Sequence, residues 1–219
     1  MNQVDAKARV LELLCQTRLV AIIRLDDLGK AVQLSQALLE GGILLQEFTL
    51  SNPEALQALK DVKEALPAFR NGSASIGLGS VRNPLEAHKA LEAGAQFIVT
   101  PTTHLEVIRI CKEAGVPIMP GAFTPTEMAA AWDAGADIVK VFPARALGPG
   151  FLKDVLAPMP YLKLMPTGGI DLENMASYFN NGAVSVGVGG NLIDKQAIAT
   201  GDWAKVTDLA KRYTEAARG

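Results

Sequence analysis

The chain has 219 residues, of which 49% are hydrophobic and 20% are charged, with a formal net charge of -2. This composition predicts one large core in a single domain. The basic residues are scattered, which argues against nucleic acid or an anionic membrane as a partner.

Cys15 and Cys111 lie far apart without metal-ligand spacing, so neither a disulfide framework nor a zinc site is expected. The first ten residues lack the pattern of a secretory signal, and no apolar run approaches the roughly 20 residues that span a bilayer, so we expect a cytoplasmic protein.

Short apolar runs alternate with longer amphipathic runs along the whole chain, a pattern that predicts parallel strands joined by crossover helices. Eight strands are predicted, at residues 19–25, 44–50, 74–81, 97–101, 117–122, 138–143, 162–167 and 183–188. An open doubly wound sheet would give the same alternation. The count of eight and the lack of a dinucleotide-binding fingerprint favour a (β/α)8 TIM barrel at residues 19–219, with residues 1–18 as an extra N-terminal helix covering its bottom.

Several helices carry start and stop signals. A capping residue before a first-turn proline predicts helix starts at Asn52-Pro53, Asn83-Pro84 and Thr124-Pro125, the last two with the acid of a capping box at Glu86 and Glu127. Glycines that follow amphipathic stretches are expected to close helices in the left-handed conformation, at Gly41, Gly94, Gly115 and Gly135.

Two charged residues stand inside otherwise apolar predicted strands. Lys140 lies in the run Ile138-Val-Lys-Val-Phe142, and Glu47 is the only acid in the core of a predicted strand. A lysine inside a barrel loses hydration, which lowers its pKa and leaves a neutral amine able to attack a ketone. Glu47 could then move protons during imine chemistry, or it could simply neutralise the Lys140 charge. The residues alone leave both possibilities open.

Glycine clusters follow the last two predicted strands, at Gly168-Gly169 and at Gly189-Gly190, the second of which continues into Asn191. In TIM barrels the loops after strands seven and eight bind phosphate through backbone N–H groups. The glycines could also serve only to make tight turns. Because both clusters fall at the place where a phosphate site is expected, we predict a phosphorylated ligand.

Further polar residues stand at predicted strand ends, where barrels hold their active sites: Arg24, Thr49, Ser51, Ser80, Thr100 and Thr102. Arg24 could bind a carboxylate or phosphate as a planar fork, or pair with Asp26 or Asp27. A serine such as Ser80 is often only a turn residue. His104 precedes a predicted helix and is interpreted as a surface residue.

Taken in order, the motifs resemble the bacterial 2-keto-3-deoxy-6-phosphogluconate (KDPG) and 4-hydroxy-2-oxoglutarate (KHG) aldolases over nearly the whole chain after the first helix. The matching motifs are Val20-Ala-Ile-Ile-Arg24, Gly41-Gly42, Glu47-Phe-Thr-Leu50, Gly77-Leu-Gly-Ser80-Val81, Pro120-Gly121, Lys140-Val-Phe-Pro143, Pro166-Thr-Gly-Gly-Ile170 and the closing glycine-rich strand. The resemblance implies a class I aldolase without a metal or another cofactor.

The resemblance also implies roles for individual residues. It implies that Lys140 forms the Schiff base and that Glu47 is the acid/base. It implies substrate contacts, including the pyruvate pocket, by Arg24, Thr49, Ser51, Ser80, Pro101, Phe142 and Thr167. Phosphate contacts are implied for Gly168, Gly169, Gly189, Gly190 and Asn191, and a homotrimer is implied as the assembly.

Two positions depart from the family pattern. Ser51 stands where the phosphogluconate-type enzymes typically carry an arginine, which removes a planar anion clamp. Asn191 stands where many relatives have a serine, although an amide can still donate a hydrogen bond. Segments near Leu50-Ser-Asn-Pro53 and Thr100-Pro-Thr-Thr-His104 look like the galactonate branch, whereas Pro166-Thr-Gly-Gly169 is closer to the gluconate branch.

The expected reaction is cleavage of 2-dehydro-3-deoxy-6-phosphogluconate to pyruvate and glyceraldehyde 3-phosphate through a lysine imine. Other uses of the same imine are a 6-phosphogalactonate-type or 4-hydroxy-2-oxoglutarate aldolase and an oxaloacetate decarboxylase. From different classes, the alternatives are a non-catalytic phosphosugar-binding barrel and an isomerase that uses Glu47 without an imine.

Overall fold

The computed structural model describes residues 3–218 of the chain. Eleven helices are assigned in this range: α1 Gln3–Thr17, α2 Ala31–Glu40, α3 Ala55–Ala65, α4 Ala68–Asn71, α5 Pro84–Glu92, α6 Leu105–Glu113, α7 Pro125–Asp133, α8 Gly150–Leu156, α9 Met175–Asn180, α10 Lys195–Thr200 and α11 Trp203–Arg218. A short 3-10 helix covers Ala144–Ala146. None of the helices between Gln3 and Arg218 combines the length and the apolar character that crossing a membrane requires.

Nine short strand segments alternate with the helices: β1 Leu19–Ile23, β2 Leu45–Thr49, β3 Ser75–Gly79, β4 Ile98–Val99, β5 Ile118–Met119, β6 Gly121–Ala122, β7 Val139–Val141, β8 Leu164–Pro166 and β9 Val186–Val188. They pair in parallel in the orders β5-β4-β3-β2-β1-β9 and β6-β7-β8. The predicted α/β class with a parallel, curled sheet is confirmed.

The strands are shorter than predicted. The predicted strand at residues 117–122 is divided into β5 and β6 at Pro120, which has no N–H to give to the sheet. Pairing nevertheless continues through this residue, since the Pro120 carbonyl accepts the Lys140 N–H at 2.9 Å. Isolated bridges from Leu164 to Ala183 and from Thr167 to Gly187 link β8 with the β9 segment.

The core has two parts, one on each face of the strands. On β1, Leu19, Ala21 and Ile23 pack in the large cluster shared with the helices, whereas Val20 belongs to a smaller cluster. The smaller cluster joins Val10, Leu13 and Leu14 of α1 to strand residues that include Leu45, Met119 and Met165. Alternation of side chains along each strand therefore separates an outer layer from an inner face that α1 covers at one end. The predicted N-terminal helix is present from Gln3 to Thr17, while Met1 and Asn2 lie outside the described residues.

Most of the predicted helix signals are found, but the capping box predicted at Glu86 is incomplete, because the Glu86 carboxylate accepts the Arg82 N–H and not the Asn83 N–H. Two further corrections concern Asn52 and the helix-closing glycines. Asn83 caps α5, and Thr124 with Glu127 forms a full capping box on α7. The helix predicted to start at Pro53 begins only at Ala55. Asn52 Oδ1 does accept the Glu54 N–H at 2.8 Å, as a cap would, and the Asn52 amide also donates to the carbonyls of Leu25 and Asp26.

The second correction concerns the helix-closing glycines. Gly94, Gly115 and Gly135 have positive φ as predicted. Gly41 does not, with φ -80, and Gly42 takes the left-handed conformation instead, with φ +87. A Cβ on Gly41 would overlap Ala210 of α11, so this glycine allows two helices to approach closely.

Candidate active site

The two charged residues predicted to carry the chemistry both lie on the inner face of the strands. Lys140 of β7 is 5% exposed and Glu47 of β2 is 1% exposed. The residues on either side of Lys140, Val139 and Val141, belong to the outer hydrophobic cluster, so the alternation of the strand turns Lys140 inward. The register also places both residues within the sheet, where Ile22 is opposite Glu47 and Gly121 is opposite Lys140.

Burial changes the acid–base properties of this pair. It lowers the pKa of the Lys140 amine, although the negative charge of Glu47 opposes the shift and Arg24 adds to it. Burial also raises the pKa of the Glu47 carboxyl, against the opposing charges of Lys140 and Arg24. In both groups the loss of hydration outweighs the attraction of the partner, so each charged form is disfavoured.

The two groups influence each other without direct contact. No ion pair between Lys140 and Glu47 is found in residues 3–218, and the buried Oε2 of Glu47 has no hydrogen-bond partner there. The Lys140 Nζ lies 4.6 Å from the centre of the Phe142 ring. This arrangement argues against a structural salt bridge and leaves both groups able to act on a bound molecule.

The environment of Glu47 depends on a glycine that the sequence analysis did not assign. A Cβ on Gly79, the last residue of β3, would overlap the Glu47 carboxylate. The carboxylate therefore packs directly against the backbone of β3. The next residue, Ser80, has a positive φ of 59°, which an L-residue adopts at a cost and which is frequent at functional sites.

A cavity of about 330 Å³ opens at the carboxyl ends of β1, β8 and β9, and neither Lys140 nor Glu47 is among its lining residues. It brings together eight of the predicted site residues: Arg24, Phe142, Thr167, Gly168, Gly169, Gly189, Gly190 and Asn191. Ile22, Arg145 and Ile170 complete its lining. Phe142 connects the cavity with the lysine, because its ring both lines the cavity and faces the Lys140 amine.

The two glycine loops approach each other closely. Gly168 and Gly169 have positive φ values of 94° and 85°. A Cβ on Gly187 of β9 would come within 2.5 Å of Thr167 Oγ1. The Asn191 side-chain amide donates to the Ile170 carbonyl at 2.9 Å and so ties the loop after β9 to the loop after β8.

Arg24 makes no ion pair with either of its acidic neighbours. Asp26 pairs with Lys195 at 3.5 Å, and no salt bridge of Arg24 is found in the described part of the chain. The guanidinium instead belongs to the lining of the cavity. This favours the anion-binding interpretation of Arg24 over the structural one.

The remaining predicted residues do not line this cavity. The buried Thr49 shares a hydrogen bond with the exposed Ser51, Oγ1 to Oγ at 2.8 Å. Pro101 is half-buried, and its carbonyl packs against the Cα of Gly121. Thr100 donates to the Thr102 carbonyl at 2.6 Å, so these two threonines shape their own loop.

His104 is half-buried at the start of α6 and is not part of the cavity lining. Between residues 3 and 218, no group of three His, Cys, Asp or Glu side chains is arranged to hold a metal ion.

Comparison with known proteins gives consistent matches. The sequence model of the family described as KDPG and KHG aldolase matches residues 10–209. A 2-dehydro-3-deoxy-phosphogluconate aldolase from Treponema pallidum is 34% identical over 204 residues, which cover 93% of this chain and 95% of that protein.

Solved structures agree with the sequence matches. A KDPG aldolase from Legionella pneumophila, with pyruvate captured at low pH as a covalent carbinolamine intermediate, has a TM-score of 0.83 at 29% identity, covering 91% of this chain and 95% of that one. A native KDPGal structure also has a TM-score of 0.83, at 30% identity, covering 91% of this chain and 94% of that one.

Proposed function

Because the chain belongs to the KDPG and KHG aldolase family, we propose that it cleaves 2-dehydro-3-deoxy-6-phosphogluconate to pyruvate and glyceraldehyde 3-phosphate as a class I aldolase. The observation that carries this proposal is Lys140, a buried lysine without an ion-pair partner in residues 3–218 and with a lowered pKa. The lowered pKa increases the fraction of neutral amine at any given pH, and imine formation requires the neutral amine.

The reaction begins at the Lys140 amine. Neutral Nζ attacks the C2 ketone of the substrate to give a carbinolamine, and loss of water leaves a protonated imine. This imine accepts the electron pair of the C3–C4 bond, as a Lewis acid would. Glu47 takes the proton of the C4 hydroxyl as that bond breaks. Glyceraldehyde 3-phosphate leaves, and an enamine of pyruvate remains on Lys140.

Glu47 then works in the reverse direction. Its raised pKa allows the carboxyl to hold the proton that it has taken and to return it to C3 of the enamine. Hydrolysis of the imine releases pyruvate and restores the amine. The buried Glu47 Oε2 has no hydrogen-bond partner within residues 3–218, so no hydrogen bond of this oxygen there has to break during these transfers.

Two regions hold the substrate in this proposal. Arg24 and the backbone of Gly168, Gly169, Gly189 and Gly190 receive the phosphate, with Asn191 beside them; the lining of the cavity supports this assignment. The pyruvate end lies near Lys140, where the side chains proposed to contact it are Thr49, Ser51, Ser80, Pro101, Phe142 and Thr167.

We extend the proposal to the architecture. Residues 19–219 form a single closed (β/α)8 barrel, with the helix in residues 1–18 across its bottom. Two features support closure: pairing continues through Pro120 from β5 to β6, and bridges connect β8 with β9. Gly219 lies outside the described residues.

A homotrimer is the proposed assembly, and the cytoplasm is the proposed location for an enzyme of sugar acid metabolism. The exposed apolar side chains Leu85, Leu105 and Phe123 support an assembly, because they stand at or just before the starts of the consecutive helices α5, α6 and α7, at one end of the protein.

Reductive trapping tests the proposed chemistry. With pyruvate and borohydride, the wild-type protein gains covalent mass on Lys140, whereas Lys140→Ala and Lys140→Arg gain none and do not turn over substrate. An arginine stays protonated and cannot form the imine. Lys163→Arg, at an exposed lysine before β8, is the matched control and traps normally. Covalent capture in either Lys140 variant, or its absence in the wild type, would refute the proposal and favour a binding protein or an isomerase.

A further inference from the structure

The cavity between Phe142 and the two glycine loops contains two arginines and no acidic residue. Arg24 reaches it from the end of β1 and Arg145 from the loop after β7. No aspartate or glutamate is among its lining residues. Two guanidinium groups without a neutralising carboxylate favour a ligand that carries more than one negative charge.

Backbone contacts hold Arg145 beside the glycine loop. The Arg145 N–H donates to the Gly168 carbonyl at 3.0 Å, and the preceding Ala144 N–H donates to the Thr167 carbonyl at 2.9 Å. A Cβ on Gly169 would lie 2.7 Å from the Arg145 Cβ, so this glycine leaves room for the start of the arginine side chain. The position of Arg145 is therefore fixed by the segment that also forms the proposed phosphate site.

The Arg145 side chain is not engaged elsewhere in the described chain. It is exposed, and the salt bridges found in residues 3–218 do not include it. The Asn191 side-chain amide also lines the cavity, but one of its two N–H groups already donates to the Ile170 carbonyl. Arg145 is thus an available side-chain donor on the β8 side of the cavity.

We propose that Arg145 is a specificity-determining residue that, together with Arg24, binds the terminal phosphate of the substrate. This inference rests on the proposed function and adds a residue and a charge requirement to it. A phosphate monoester carries a charge of about -1.5 to -2 at pH 7 and offers three acceptor oxygens, which suits two planar guanidinium forks. A carboxylate at the same end of the substrate carries one charge and matches only one of them.

The inference therefore predicts a selective effect. Removing Arg145 lowers kcat/KM for the phosphorylated substrate but has little effect on 4-hydroxy-2-oxoglutarate, whose far end is a carboxylate. We expect about a tenfold loss on the phosphorylated substrate, mainly through KM, since Arg145 is exposed and solvent weakens its ion pair.

The experiment compares Arg145→Gln and Arg145→Lys with Lys153→Gln, an exposed position on α8 that loses the same charge outside the cavity. Steady-state kinetics on both substrates and the inhibition constant of inorganic phosphate are measured for each protein. Arg145→Gln should weaken phosphate inhibition and reduce the preference for the phosphorylated substrate, Arg145→Lys should restore part of both, and Lys153→Gln should match the wild type.

Pyruvate trapping separates failure of this inference from failure of the proposed function. If wild type and Arg145→Gln both trap pyruvate normally but their phosphate inhibition and substrate preference are equal, Arg145 does not bind the phosphate, although the aldolase chemistry holds. An equal loss on both substrates, or the same change in Lys153→Gln, would also overturn the inference. If the wild type does not trap pyruvate, the proposed function itself fails.

Discussion

The Glu47 carboxylate packs directly against Gly79, at a point where any Cβ would overlap it. The two residues belong to neighbouring strands, β2 and β3, whose register places Glu47 opposite Gly77 and Thr49 opposite Gly79. A glycine at the end of β3 is therefore part of the proposed proton-transfer apparatus, although it has no side chain of its own. Its effect on the reaction can be measured.

Gly79→Ala should displace Glu47 and lower kcat without removing any functional group. We expect a loss approaching that of Glu47 substitution, of order 10²–10⁴, while Lys140 still traps pyruvate. Gly150→Ala is the control, since a Cβ there meets no atom within 4 Å, and it should leave kcat unchanged. Melting curves establish that both variants are folded. A wild-type kcat in a folded Gly79→Ala protein would mean that the carboxylate position is not critical.

Glu47→Gln distinguishes proton transfer from charge neutralisation. The amide keeps the shape of the side chain but cannot accept the C4 hydroxyl proton, so kcat should fall by a factor of order 10²–10⁴. The melting temperature at neutral pH should not fall, because burial raises the pKa of Glu47 and its ionised form therefore costs stability in the folded protein. Near-normal kcat together with a lower melting temperature would indicate a structural ion pair instead.

The lowered pKa of Lys140 should appear in the pH dependence of both catalysis and stability. The rate of pyruvate trapping with cyanoborohydride should rise with pH, with a midpoint below the ordinary lysine value of 10.5. A midpoint at 10.5 or above would show that burial does not activate the amine.

The same shift makes a prediction about Lys140→Met. Between the lowered pKa and 10.5, the unfolded chain binds the lysine proton and the folded protein does not, so wild-type stability rises with pH in this window. Lys140→Met has no such group. The melting temperature of Lys140→Met should therefore exceed that of the wild type by an amount that shrinks as the pH is raised toward 10.5. A constant or growing difference would contradict the lowered pKa.

Ser51→Arg tests how the middle of the substrate is recognised. Ser51 is exposed and bonds to Thr49, so no guanidinium stands at this point in the protein. The wild type should cleave the gluconate-type and galactonate-type epimers at comparable rates. Ser51→Arg should change KM for one epimer more than for the other, because the donors of a planar guanidinium group bind a hydroxyl or carboxylate only in certain positions. Ser177→Arg on α9 is the control for added charge. Equal changes in KM for both epimers would show that this position does not distinguish the two configurations at C4.

The inner-face residues could be predicted because they break strong patterns. Lys140 and Glu47 are charged residues in short apolar strands, and strand alternation then determines which face they share. The strand and helix order, the cap at Asn83 and the capping box at Thr124 follow equally local rules. Such features need only a few neighbouring residues to be recognised.

Features that depend on contacts between distant segments were missed. Gly79 looks like any glycine until β2 brings Glu47 against it, although a glycine inside an apolar strand does signal a close approach. Arg145 lies two residues after Pro143, in the short 3-10 helix, and in the sequence it resembles an ordinary surface arginine. Its place in the cavity depends on the bond from its N–H to Gly168. Asn52 and Gly41 do stand beside helix ends, but each also makes a contact that local sequence does not indicate. The Asn52 amide donates to the loop after β1, and Gly41 packs against α11.

The hydrogen bonds of Asn191 have a consequence for the order in which parts of the cavity gain their support during synthesis. Its side chain binds Ile170, and its carbonyl accepts the Tyr213 hydroxyl at 3.3 Å. The two glycine loops are thus supported by α11, a helix that follows every residue of the cavity in the sequence. A nascent chain that already contains Lys140 and Glu47 but not yet Tyr213 lacks this support, so the proposed phosphate-binding end of the cavity depends on a helix made after both proposed catalytic residues.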